Sequence, residues 1–126
     1  MSNTNGRPDP KNIHEIREAS IEEHLDRIQQ EFRRGFEFLE KYPRSVTIFG
    51  SSMASQGGVY YKQAYELARR IATDTKYAII SGGGPGIMEA SSKGATEAGG
   101  KSVGMRINLL RERNPNTYTS DNINFT

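Results

Sequence analysis

Between the apolar run Ala78-Ile79-Ile80 and a helix-forming stretch that opens at Ile87 lie Ser81-Gly82-Gly83-Gly84-Pro85-Gly86. Three successive glycines remove every Cβ and free the backbone dihedrals, so main-chain N–H groups can close around an anion. A strand-to-helix turn needs fewer. Pro85 suits the first turn of the helix, where its missing N–H costs nothing, and the helix then aims its positive end at the same place. The segment reads as a phosphate-holding loop.

The flanking pattern places that loop in a parallel sheet. Ser45-Val46-Thr47-Ile48-Phe49 is a short β-branched strand closed by Gly50, and a Ser/Gly-rich loop leads to a helix over Val59 to Asp74 with Tyr60, Ala64, Leu67, Ala68 and Ile71 inward. Tyr77 to Ile80 is the second strand, about Ile87 to Ala98 the next helix, with Gly99-Gly100 as its cap, and Ser102 to Ile107 the third strand. Strand, helix, strand, helix, strand predicts an α/β fold, a Rossmann-like doubly wound parallel sheet of which three strands are visible, with both Gly-rich loops at the carboxyl ends of their strands. Residues 1–11 read as a disordered arm and 12–43 as a helical segment. In it Ser20-Ile21-Glu22-Glu23 has capping-box spacing, and Ile21, Leu25, Ile28, Phe32, Phe36 and Leu39 form one apolar stripe. Residues 44–110 form the nucleotide-binding portion and 111–126 a polar loop with a truncated end.

Composition narrows the function classes. The 126 residues carry 17 bases against 15 acids, for a net charge of +2, and the basic pairs Arg33-Arg34 and Arg69-Arg70 sit among acids, so a nucleic-acid partner is not expected. With no cysteine, disulfides and thiolate sites are excluded. His14 and His24 have no companion ligands near them, so no metal is expected, and no cofactor either. No apolar run approaches the length of a membrane span and no signal-peptide core opens the chain, so a cytoplasmic location is expected.

Two familiar phosphate motifs fail. A dinucleotide G-x-G-x-x-G would need glycine at Ile87 or Glu89. A loose P-loop ending in Gly100-Lys101-Ser102 leaves a helix and enters a strand, the reverse of the required context. Gly50-Ser51-Ser52, at the neighbouring strand end, supplies two hydroxyls and is read as a second wall of the same site. Met88 borders the pocket or the core, Glu89 favours the helix dipole from the first turn, and Arg106 stands where it could reach an anion or solvent.

Phe49-Gly50-Ser51-Ser52, Ser81-Gly82-Gly83-Gly84-Pro85-Gly86-Ile87-Met88-Glu89-Ala90, Gly94-Ala95, Ala98-Gly99-Gly100 and Ser102-Val103-Gly104 together resemble the Lonely Guy (LOG) family, Rossmann-fold proteins often labelled possible lysine decarboxylases. The resemblance runs from about Ser45 to Leu110, and the leading helix and Arg113-Asn114-Pro115 resemble its longer bacterial branch. It implies hydrolysis of the N-glycosidic bond of nucleoside 5′-monophosphates such as AMP or cytokinin riboside monophosphates, by a homodimer or higher oligomer. It carries over Gly50, Ser51, Ser52, Gly82, Gly83, Gly84, Gly86 and Met88 as nucleotide-binding residues. The family's catalytic arginine and its P-G-G-x-G-T-x-x-E glutamate fall beyond Thr126, so no catalytic residue carries over and this stretch alone is expected to be inactive. The decarboxylase label finds no lysine in a pyridoxal-phosphate context. The alternative is a nucleotide- or cofactor-binding carrier of the same superfamily.

Overall fold

The computed structural model describes residues 10–108 and 114–125. The chain divides into two compact units, Met1–Glu37 and Phe38–Thr126. The first holds most of α1 (Pro10–Leu39). The helix continues back through Ser20, so that serine caps nothing. Of the arm expected over residues 1–11, only Pro10 and Lys11 are described, and both are helical. The expected stripe is present, and Ile21, Leu25, Ile28, Phe32 and Phe36 are each more than half exposed.

The second unit contains β1 (Ser45–Thr47), α2 (Val59–Thr75), β2 (Ala78–Ser81), α3 (Ile87–Glu97), β3 (Ser102–Ile107) and β4 (Asp121–Phe125). All four strands are parallel, in the order β1-β2-β3-β4, so the α/β fold expected from the alternation is present. The sheet has one strand more than the sequence pattern predicts. β4 lies inside the segment expected to be a polar loop; its pairing with β3 over Val103↔Asp121 to Ile107↔Phe125 supplies backbone hydrogen bonds that compensate for its thin apolar content.

Side chains alternate across the sheet. On one face Ile79 packs with Ala68 and Ala72 of α2 and Ala95 of α3, with Val46 and Ile48 alongside. On the other, Ile80 and Val103 pack with Phe38, flanked by Leu39, Tyr42, Met105 and Ile123. Both faces of the central strand are therefore covered, which is why β2 is buried at every position.

The inward face of α2 differs from the expected one by one residue. Tyr61, Ala64, Ala68 and Ala72 are buried, whereas Tyr60 and Leu67 are 75% and 52% exposed. Close packing against α3 decides the phase. A Cβ at Gly94 would overlap the Tyr65 carbonyl oxygen and lie 3.2 Å from Arg69 N, so the two backbones approach nearer than large side chains allow. The cap expected at Gly99-Gly100 forms: Gly99, at φ +76°, donates from its N–H to Thr96 O, and Gly100 N–H donates to Ala95 O.

Candidate functional site

Parallel strands end together, so the segments after β1, β2 and β3 share one rim with the end of β4. The glycine segment leaves β2 there. α3 begins at Ile87, and its N-cap Gly86 adopts φ +71°, ψ −129°, a conformation outside the reach of other residues. Pro85 thus precedes the cap instead of lying in the first helical turn, because the positive φ at Gly86 interrupts the helix.

The two predicted loops touch. Ile87 N–H donates to the Ser51 carbonyl oxygen at 3.0 Å, and a Cβ at Gly86 would lie 2.6 Å from the carbonyl carbon of Ser52. Gly50 is packed against Ile87, where a Cβ would come within 2.5 Å of its side chain. Gly50, Ser51 and Ser52 therefore brace the start of α3. Ser51 faces a separate, largely apolar hollow of about 560 Å³ beside Phe49, Met53 and Tyr60. Its hydroxyl accepts from Met53 N–H.

Beneath the glycines runs a buried polar chain. Gly83 N–H donates to Ser81 Oγ at 3.2 Å, and Ser81 Oγ lies 3.3 Å from Ser92 Oγ. Asn116 closes it from above: its backbone N–H donates to Gly83 O at 3.0 Å and its Nδ2 to Gly84 O at 2.9 Å. Its Oδ1 accepts from Tyr118 N–H at 3.1 Å. Asn116 is only 8% exposed, so these bonds are shielded from water. No local sequence motif marks Asn116, whose role comes from partners distant in the chain.

With Ile87 N–H taken by Ser51, the backbone N–H groups of Met88 and Glu89 have no acceptor among the described residues. They are the remaining orphan donors of the first helical turn. The Glu89 carboxylate is occupied on its other side. Its Oε1 accepts from Gln56 Nε2 at 2.8 Å and from the Tyr61 hydroxyl at 3.1 Å, fastening the loop after β1 and α2 to α3. Burial, and then this carboxylate, push the Tyr61 phenol well above its ordinary pKa. Glu89 is thus a structural clasp as well as a favourable charge at the helix start.

A cleft of about 770 Å³ opens over the rim. Gly82, Gly84 and Pro85 form its floor, Phe49, Met88, Met105 and Ile107 its apolar walls, and Asn108, Asn114 and Asn124 offer carboxamides. Among the described lining residues Arg106 is the one that carries a charge, and none is a carboxylate. Of the residues expected to bind nucleotide, Gly82, Gly84 and Met88 line this cleft. Gly83 and Gly86 shape the loop from below, and Gly50, Ser51 and Ser52 support it from the side.

Among the described residues no three potential metal ligands converge, and no helix is long and apolar enough to cross a membrane. The family model described as the SLOG cluster4 family matches residues 43–123. No curated protein matches the chain. Similar solved structures include the X-ray structure of TM1055, a structural genomics target, 26% identical over 64% of this chain, with a TM-score of 0.47. The aligned region spans 45% of that protein's length. The match over residues 43–123 covers most of the chain, and the chain belongs to the SLOG cluster4 family.

Proposed function

With that membership as the premise, we propose that this chain forms the phosphate-holding part of a nucleoside 5′-monophosphate site, in a protein of the LOG type that hydrolyses the N-glycosidic bond. The observation that carries the reading is the cleft's composition. A glycine floor at a helix start, one cation, no carboxylate among the described lining residues and apolar walls suit an anionic headgroup joined to a flat ring. Phosphate oxygens would accept from the Met88 and Glu89 amides, while Phe49 and Met88 give apolar surface for the base. AMP is the simplest ligand of this kind. The homodimer or higher oligomer implied by the LOG resemblance is part of the same proposal, as is a cytoplasmic location.

In such a reaction water attacks an oxocarbenium-like ribose steadied by a carboxylate. The described lining residues include no carboxylate, and the groups they offer are suited to binding and orienting the nucleotide. The same observation favours a second reading, a carrier or sensor that binds the nucleotide without cleaving it.

Calorimetric titration of the chain with AMP tests the binding. Saturable heat, with a rise in melting temperature as AMP exceeds its dissociation constant, is expected. The absence of both heat and a shift would overturn the proposal. Incubation with AMP should release no adenine, and release at a rate comparable to a full-length relative would overturn the assignment of these groups to binding and orientation. Light scattering would check the oligomer.

A further inference from the structure

We infer that Arg106 sets the ligand class of this cleft: its guanidinium holds the phosphoryl group and so selects phosphorylated over unphosphorylated nucleosides. The inference rests on the nucleotide reading above and adds to it the residue that makes the choice.

The argument starts from the strand register. Ile80 and Val103 turn toward Phe38, so Gly104 and Arg106 turn to the opposite face, where α3 begins. Gly104 makes the space there. A Cβ at that position would overlap the Asn122 side-chain oxygen and lie 3.3 Å from Gly83 Cα, so the glycine loop rests directly on β3. Arg106, one pleat repeat further on, runs its stem past the loop. A Cβ at Gly83 would meet Arg106 Cγ at 3.0 Å and Cδ at 3.2 Å. The stem is thereby packed, half-buried, against the glycine loop that Asn116 also holds, and Arg106 lines the cleft together with Gly84 and Met88. Its register partner on β4, Asn124, lines the cleft with it.

A guanidinium fork fits a phosphoryl group through paired donors, which an ammonium cannot reproduce. Backbone amides alone give an anion site of modest selectivity. A fixed cation beside them favours the doubly charged phosphate over a neutral hydroxyl, and the packed stem reduces the ordering needed on binding.

The test is titration of the full chain and of Arg106→Met with AMP, ribose 5-phosphate and adenosine. Methionine keeps an apolar stem against Gly83 and removes the charge. AMP and ribose 5-phosphate should weaken by about tenfold to a hundredfold, the range of a lost charge-assisted pair, while adenosine changes by less than about twofold. Arg106→Lys should fall between the two, and serves alone if the methionine variant does not fold. Equal weakening of AMP and adenosine would assign Arg106 a purely structural role. Loss of adenosine affinity with ribose 5-phosphate unaffected would place it on the base, and no change in any ligand would remove it from the site; each overturns the inference. If the unmodified chain binds none of the three, the nucleotide reading itself fails.

Discussion

Gly86 and Gly99 have nearly the same φ, +71° and +76°, but opposite surroundings, and this makes them a controlled pair. A methyl group added at Gly99 meets nothing within 4 Å. Gly99→Ala therefore carries only the backbone cost of a positive φ, about 1 kcal/mol. At Gly86 the same methyl overlaps the Ser51 carbonyl oxygen and lies 2.8 Å from Ser52 Cα, all main-chain atoms that cannot rotate away. Its ψ of −129° adds about 1–3 kcal/mol of strain. Forcing the loops apart adds about 1–3 kcal/mol of overpacking and about 1 kcal/mol for the Ile87–Ser51 hydrogen bond. Gly86→Ala is therefore expected to cost about 3–7 kcal/mol. Urea unfolding followed by far-UV circular dichroism would measure both. Thermal midpoints should fall by about 4–8 °C for Gly99→Ala and by several times that for Gly86→Ala. A Gly86→Ala loss no larger than that of Gly99→Ala would refute the claim that the loops after β1 and β2 are in rigid contact.

Asn116→Ala removes the donor to Gly84 O and the acceptor for Tyr118 N–H in a buried setting, and should lower stability by about 2–3 kcal/mol, read as a lower urea midpoint with unchanged slope. Ser102→Ala should raise stability by about 1 kcal/mol, because its fully buried hydroxyl has no hydrogen-bond partner among the described residues; a loss would show that a partner exists. Tyr42 donates to Asp121 Oδ2 at 2.5 Å, and burial, followed by that carboxylate, pushes its pKa up from 10.0 to about 12. A raised folded-state pKa means its contribution is complete below pH 10 and is lost as pH climbs through about 12. Stability should fall across that window, and less steeply in Tyr42→Phe; identical slopes would contradict the linkage.

Much of the fold could be read from the chain because its local signals agree with its packing. Val46, Ile48, Ile79, Ile80 and Val103 are β-branched residues in short runs bounded by glycine, and they form the sheet's core. The readings that shifted involve residues whose placement is decided by distant contacts. α2 turns its alanines inward and leaves Tyr60 and Leu67 outside, since helix proximity outweighs side-chain hydrophobicity. β4 has apolar residues only at Ile123 and Phe125 between asparagines. That two-residue alternation was a usable signal, weak because it is so short. Asn116 has no local signature at all. An asparagine in a polar stretch becomes a clamp only when a partner 32 residues away, Gly84, is brought against it.

The Ser51–Ile87 hydrogen bond joins the two loops and Asn116 fixes the third side, so the rim is held by the chain's own bonds. A site assembled in advance has little conformational entropy left to lose on association. Encounter should therefore proceed at the ordinary rate for a ready-made cleft. If the cleft takes phosphorylated compounds as proposed, differences in affinity among them should show as differences in residence time, with dissociation rates varying far more than association rates.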